Sequence, residues 1–83
     1  MTIIGTYKII NTSNNKYYYG SSIDVQTRLD RHKSDLEKNC HHCIHLQRAY
    51  NQYGKQSFIY QFDKQYDQKQ DAHDATIRFG YKI

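Results

Sequence analysis

The sequence predicts a small α+β domain: a three-stranded antiparallel sheet with two helices packed on it, in the order β-β-α-α-β. Three observations predict it. Two runs rich in β-branched residues and tyrosine flank a cluster of turn formers near the N-terminus. Two apolar patterns at helical spacing follow, and a run of alternating aromatics closes the body. Three strands with helices against one face form a simple layered arrangement, and 83 residues allow one such domain.

Ile3 to Ile10 reads as the first strand. Asn11 to Asn15 is the turn, because asparagine tolerates left-handed backbone and bonds its own main chain. Tyr17 to Ser21 is the second strand, joined to the first as a hairpin. With the turn at residues 12–15, Tyr7 and Tyr18 are expected as near-opposite neighbours on one face. Asp24 is an N-cap that opens a helix to about Lys38, with Val25, Leu29 and Leu36 toward the core. Asn39 to His42 connects it to a second helix from about Ile44 to Tyr53. There Leu46, Ala49, Tyr50 and Tyr53 make an apolar stripe, and Gly54 stands at the C-terminal cap. Phe58, Tyr60 and Phe62 alternate with Ile59, Gln61 and Asp63 as a third strand. Residues 64–83 have no strong period and read as a weak helix or tail. The chain therefore divides into a core over 1–63 and a C-terminal segment of the same domain over 64–83.

Composition excludes several classes. No run approaches the roughly 20 apolar residues of a membrane span. Met1 to Ile10 does not read as a secretory signal, and two cysteines are too few for a disulfide framework. The expected setting is intracellular and reduced. Net charge is +4, and all of it lies in residues 1–62; residues 63–83 are balanced. A basic body with nine tyrosines suits a polyanion, because cations neutralise phosphates and aromatic faces stack on bases.

On the first helix Arg28 and His32 stand four residues apart on one face, beside the apolar stripe. They would meet Tyr7 and Tyr18 at the rim between helix and sheet. Arginine holds phosphate charge with a planar fork, and a phenol or imidazole relays a proton. That combination suits phosphoryl chemistry. Cys40-His41-His42-Cys43, with His45, contains a C-x2-C half-site for zinc, but a structural site needs a second ligand pair. His32 and His73 do not form one, so the cysteines read as reduced residues in a loop.

Gly5-Thr6-Tyr7 and, ten residues on, Tyr18-Tyr19-Gly20 resemble the signature of the GIY-YIG nuclease family, with Thr6 and Tyr19 at its tolerant middle positions. The likeness extends to Tyr7 to Asn11, Asn14 to Lys16, Gly20 to Ser22, Arg28 to Leu36, His45 to Asn51 and Tyr53-Gly54. It covers about residues 4–63 and is closest to the phage and intron-encoded homing endonucleases. The resemblance implies that Tyr7 and Tyr18 are the signature tyrosines, one helping to activate the attacking water. It implies that Arg28 holds the scissile phosphate and that His32 relays a proton. A further functional histidine falls on His41 or His42, with His41 fitting the spacing better. Gly5 and Gly20 would be structural, Gly20 letting the second strand approach the helix.

The resemblance further implies double-stranded DNA as partner, no membrane, a monomer, and one Mg2+ (or Mn2+) held by a glutamate on a later helix. Here the sequence departs from the pattern. Its only glutamate, Glu37, lies on the first helix, and Arg78 falls at the expected position. Asp71 and Asp74 are the remaining candidate metal ligands, Asp74 with a shift of register. Lys8, Lys16, Arg31, Lys33 and Arg48, with Lys38 and Lys55, are candidates for a DNA-facing rim. Single DNA-recognition modules bury about 600–1,000 Å², so the expected binding is weak and salt-sensitive. Two readings follow: a metal-dependent DNA endonuclease module, or a truncated or inactive remnant that at most binds DNA weakly.

Overall fold

A computed structural model gives the structure of the chain and describes residues 2–72. Asp74, Arg78 and most of the expected C-terminal helix lie outside the described residues. A helical turn over 69–72 is their last feature. The order is β1 (Gly5–Asn11), β2 (Lys16–Ser22), α1 (Val25–Glu37), α2 (Ile44–Tyr53), a 3-10 turn (Lys55–Ser57) and β3 (Phe58–Gln65). The sheet is antiparallel with strand order β2-β1-β3. The architecture is the α+β one expected, and β3 runs two residues past Asp63.

Turn chemistry sets the hairpin. Asn15 takes the left-handed conformation with φ 61°. Its N–H donates to the Asn11 carbonyl at 2.8 Å, and the Asn11 side chain accepts from Ser13 N–H at 3.0 Å. α1 starts where Asp24 accepts from the Thr27 N–H and hydroxyl. α2 ends at Gly54, whose φ of 88° suits glycine.

The core lies between the helices and one sheet face. Tyr7 and Ile9 of β1 pack there with Val25, Leu29, Leu36, Leu46 and Phe58. Alternation along β1 turns Thr6 and Lys8 to the other face. A register shift between Thr6 and Tyr7 leaves Asp63 as an extra residue on β3. Its carboxylate accepts from the Thr6 and Tyr19 hydroxyls on that far face. Thr6 and Tyr19, the departures from the isoleucines of the signature, thus form one polar cluster with Asp63.

Two large aromatic side chains of these elements stay open to solvent. Phe62 stays 45% exposed, because α1 lies over β1 and β2 and leaves the β3 edge open. Tyr53, on the last turn of α2, is 38% exposed, while Gln47 is buried at 8%. Among the described residues no helix is long and apolar enough to cross a membrane.

Candidate active site

Side chains from β1, β2, α1 and the loop before α2 converge on the helix-facing side of the hairpin. Gly20, not Tyr18, stands opposite Tyr7; Tyr18 stands opposite Ile9. The two tyrosines are therefore diagonal neighbours on one face, offset by two residues from a direct pair. Gly20 makes this possible. A Cβ there would overlap the Tyr7 phenol, meeting Cε1 at 2.8 Å, so the ring crosses over the glycine toward α1. Gly5 answers a different contact: a Cβ there would run into the Lys64 carbonyl beside the bulge.

α1 buries Val25, Leu29, His32 and Leu36, a four-three-four spacing that makes one stripe. His32 belongs to that stripe and is 2% exposed. It is not at the rim, where the sequence alone put it; Arg28, one turn earlier, is the exposed partner. His32 Nε2 lies 2.7 Å from the Tyr7 hydroxyl, and its Nδ1 lies 2.6 Å from His41 Nε2. His41 Nδ1 accepts from the Cys43 N–H at 3.0 Å. The rings of His32 and His41 stack at 4.8 Å, and those of His41 and His42 at 4.5 Å. Tyr18 meets His32 edge-on at 5.3 Å, and its hydroxyl lies 3.5 Å from His42 Nε2.

The loop that presents these histidines is held at several points. Asn39 takes φ 58°. Gln47 accepts from the His41 N–H at 3.0 Å and donates to the Leu36 carbonyl at 3.1 Å and to Asn51 at 3.0 Å. Asn51 in turn donates to Asn39. Gln47 thus ties the end of α1, the loop and α2 together. Sequence reasoning missed it, since a glutamine beside an apolar stripe carries no signal of burial.

The buried groups are neutral. Burial, then the neighbouring His41, His42, Arg28 and Arg31, push His32 down from 6.5 to about 3. Burial, then His42, lower His41 as well. Burial raises the Tyr7 phenol well above its ordinary 10, with Tyr18 adding and Arg28 opposing. Two of the chain's cations, Arg28 and Arg31, line a cleft of about 420 Å³ together with His32, Asp35, Cys40 and His42. Two guanidiniums side by side can hold a phosphate and donate hydrogen bonds to it.

The structure joins Tyr7, His32 and His41 in one hydrogen-bonded row, sets Tyr18 against His32 and His42, and puts Arg28 at the cleft. Of the basic candidates, Arg31 lines the cleft. Lys8 is on the opposite sheet face, its ammonium 5.2 Å from the Tyr17 ring centroid. Lys16 pairs with Asn11 at the turn end of the hairpin. Lys33 is on the β3 side of α1, 6.0 Å from the Tyr60 ring centroid. Arg48 is exposed on α2.

The described residues do not fit a metal. No three of His, Cys, Asp and Glu among them are grouped to hold one. Asp35 is the one carboxylate lining the cleft. Both ring nitrogens of His32 and of His41 are already engaged. Cys40 and Cys43 are free thiols, Cys40 exposed.

Comparison with known proteins agrees with this geometry. A family model described as the GIY-YIG catalytic domain matches residues 3–79. Intron-associated endonuclease 1 of Enterobacteria phage T4 is 54% identical over 50 residues, 60% of this chain and 20% of that protein. A probable intron-encoded endonuclease 1 of Neurospora crassa is 41% identical over 56 residues, 68% of this chain and 17% of that protein. The chain thus spans about a fifth of the length of the curated relatives it matches. The solved catalytic domain of the homing endonuclease I-TevI superposes with a TM-score of 0.81 at 36% identity, covering 92% of this chain and 83% of that one. A glutamate-to-alanine mutant of the same domain gives 0.79 at 36% identity, covering 99% and 94%.

Proposed function

The chain belongs to the GIY-YIG family, and from that premise we propose that it is the catalytic module of an intron-type endonuclease that hydrolyses phosphodiester bonds of double-stranded DNA. The observation that carries this reading is the meeting of Arg28 and Arg31 at one cleft with His32, the middle member of the Tyr7–His32–His41 row. A phosphodiester is anionic, and the guanidiniums are its natural anchors. The exposed Arg28 reaches the phosphate first and Arg31 steadies it. Tyr18 and His42 border the same region and face the attacking water.

Mg2+ or Mn2+ is proposed on the family's likeness, with Asp74 as ligand; it would neutralise charge on the leaving oxygen. The described residues account for phosphate binding and hydrogen bonding alone. The module is taken to act as an intracellular monomer, with weak DNA binding that falls as salt rises.

The test is incubation of purified protein with supercoiled plasmid and Mg2+ or Mn2+. Conversion to open circles that stops on chelation supports the reading. No nicking in either metal defeats it and leaves DNA binding as the module's activity.

A further inference from the structure

We propose that the backbone N–H of Cys43 fixes the direction of every hydrogen bond in the buried row, so that the Tyr7 oxygen accepts from His32 and its own hydrogen lies outside the row. His41 and Gln47 are then positioning residues.

The direction follows from what each atom can do. Each proton's place follows from the partners of its nitrogen. A backbone amide nitrogen only donates, so His41 Nδ1, 3.0 Å from the Cys43 nitrogen, must carry a lone pair. A neutral imidazole has one N–H, which places it on His41 Nε2. That N–H donates across 2.6 Å to His32 Nδ1, which must also be bare. The N–H of His32 therefore lies on Nε2 and donates across 2.7 Å to the Tyr7 oxygen. Running the row the other way would set a His41 Nδ1–H against the Cys43 N–H, two donors facing each other in a buried site. Protonating either ring creates the same clash.

Gln47 secures the starting point by the same logic. The Leu36 carbonyl can only accept, so the Gln47 amide nitrogen faces it and the Gln47 oxygen faces the His41 N–H. The His41 backbone is thereby held where its ring meets the Cys43 amide.

One consequence separates this account from a simple relay. His32 cannot take the Tyr7 proton, because the nitrogen facing Tyr7 already carries one. Among the described residues His32 is the side chain hydrogen-bonded to the Tyr7 hydroxyl, and that hydroxyl's hydrogen points out of the row.

The experiment is nitrogen NMR of the imidazole rings in the native chain and in Cys43→Ala and Cys43→Pro. Alanine keeps the amide. Proline removes it, and residue 43 has φ −87°, near proline's own value. In the native chain and Cys43→Ala, His32 and His41 should each show Nε2–H with bare Nδ1. In Cys43→Pro a His32 population with Nδ1–H should appear. Nδ1–H on His32 in the native chain overturns the proposal, and that spectrum decides even if Cys43→Pro does not fold.

Discussion

Replacing Gly20 by alanine isolates the placement of Tyr7 from the rest of the sheet. The new methyl would overlap the phenol, with Cε1 at 2.8 Å where ordinary contact begins at 3.4 Å. The ring has little room to retreat, since Tyr7 is 2% exposed and bonded to His32 at 2.7 Å. Overpacking of this kind costs about 1–3 kcal/mol. Breaking the Tyr7–His32 bond adds about 0.5–1.5 kcal/mol. Alanine's lower chain entropy offsets about 0.5–1 kcal/mol of the loss. The net destabilisation is then roughly 0.5–4 kcal/mol, or about 4–8 °C of Tm for each kcal/mol in a domain this size. Urea unfolding followed by circular dichroism measures it. The decisive arm is the same change in a Tyr7→Ala background, where the ring that collides is gone. There Gly20→Ala should be neutral or stabilising by up to about 1 kcal/mol. An equal cost in both backgrounds would show that the ring and the glycine are not coupled, and the placement argument would fail.

Other outcomes follow from the same contacts. Gln47→Ala leaves the buried His41 N–H without its acceptor, so stability should fall by about 1–3 kcal/mol; a change below the error of denaturant titration would contradict this. His32 is held neutral, with its value lowered from 6.5 to about 3. Its contribution is fully present above pH 6.5. It is lost as pH falls toward 3, because the unfolded chain takes up a proton that the folded chain refuses. Stability should therefore decline by up to about 1.4 kcal/mol per pH unit across that window, and His32→Leu should flatten the decline. Asp63→Ala strips the acceptor from Thr6 and Tyr19 on the far sheet face. It should lower stability by about 1–3 kcal/mol while nicking at a matched folded fraction stays at the native rate.

Much of the architecture was legible in the residues. The turn-forming asparagines, the Asp24 cap, the helical stripes and Gly54 each carry a local signal, and the elements form where those signals lie. What escaped was set by long-range packing. The hairpin register places Tyr7 over Gly20, so the two tyrosines meet diagonally; the turn sequence alone does not choose between those offsets. His32 reads as a rim residue because it is polar, yet the four-three-four spacing with Val25, Leu29 and Leu36 makes it part of the buried stripe. Lys8 could have been placed from parity alone, since neighbours in a strand point to opposite faces and Tyr7 points inward. Gln47 and the Asp63 bulge had no local signature. Each is buried or aimed by groups far away in sequence, Leu36 and His41 in one case and Thr6 and Tyr19 in the other.

The most direct test of the central claim compares plasmid nicking by the native chain and Arg28→Ala in Mg2+ or Mn2+, at equal folded fraction. Arg28 is exposed, so its loss should leave stability within about 0.5 kcal/mol. Nicking should fall by about 10²–10³, the usual loss when a positioned charge donor is removed from a reacting oxyanion. Nicking by Arg28→Ala at the native rate would contradict the assignment of this cleft as the place where the phosphodiester is held.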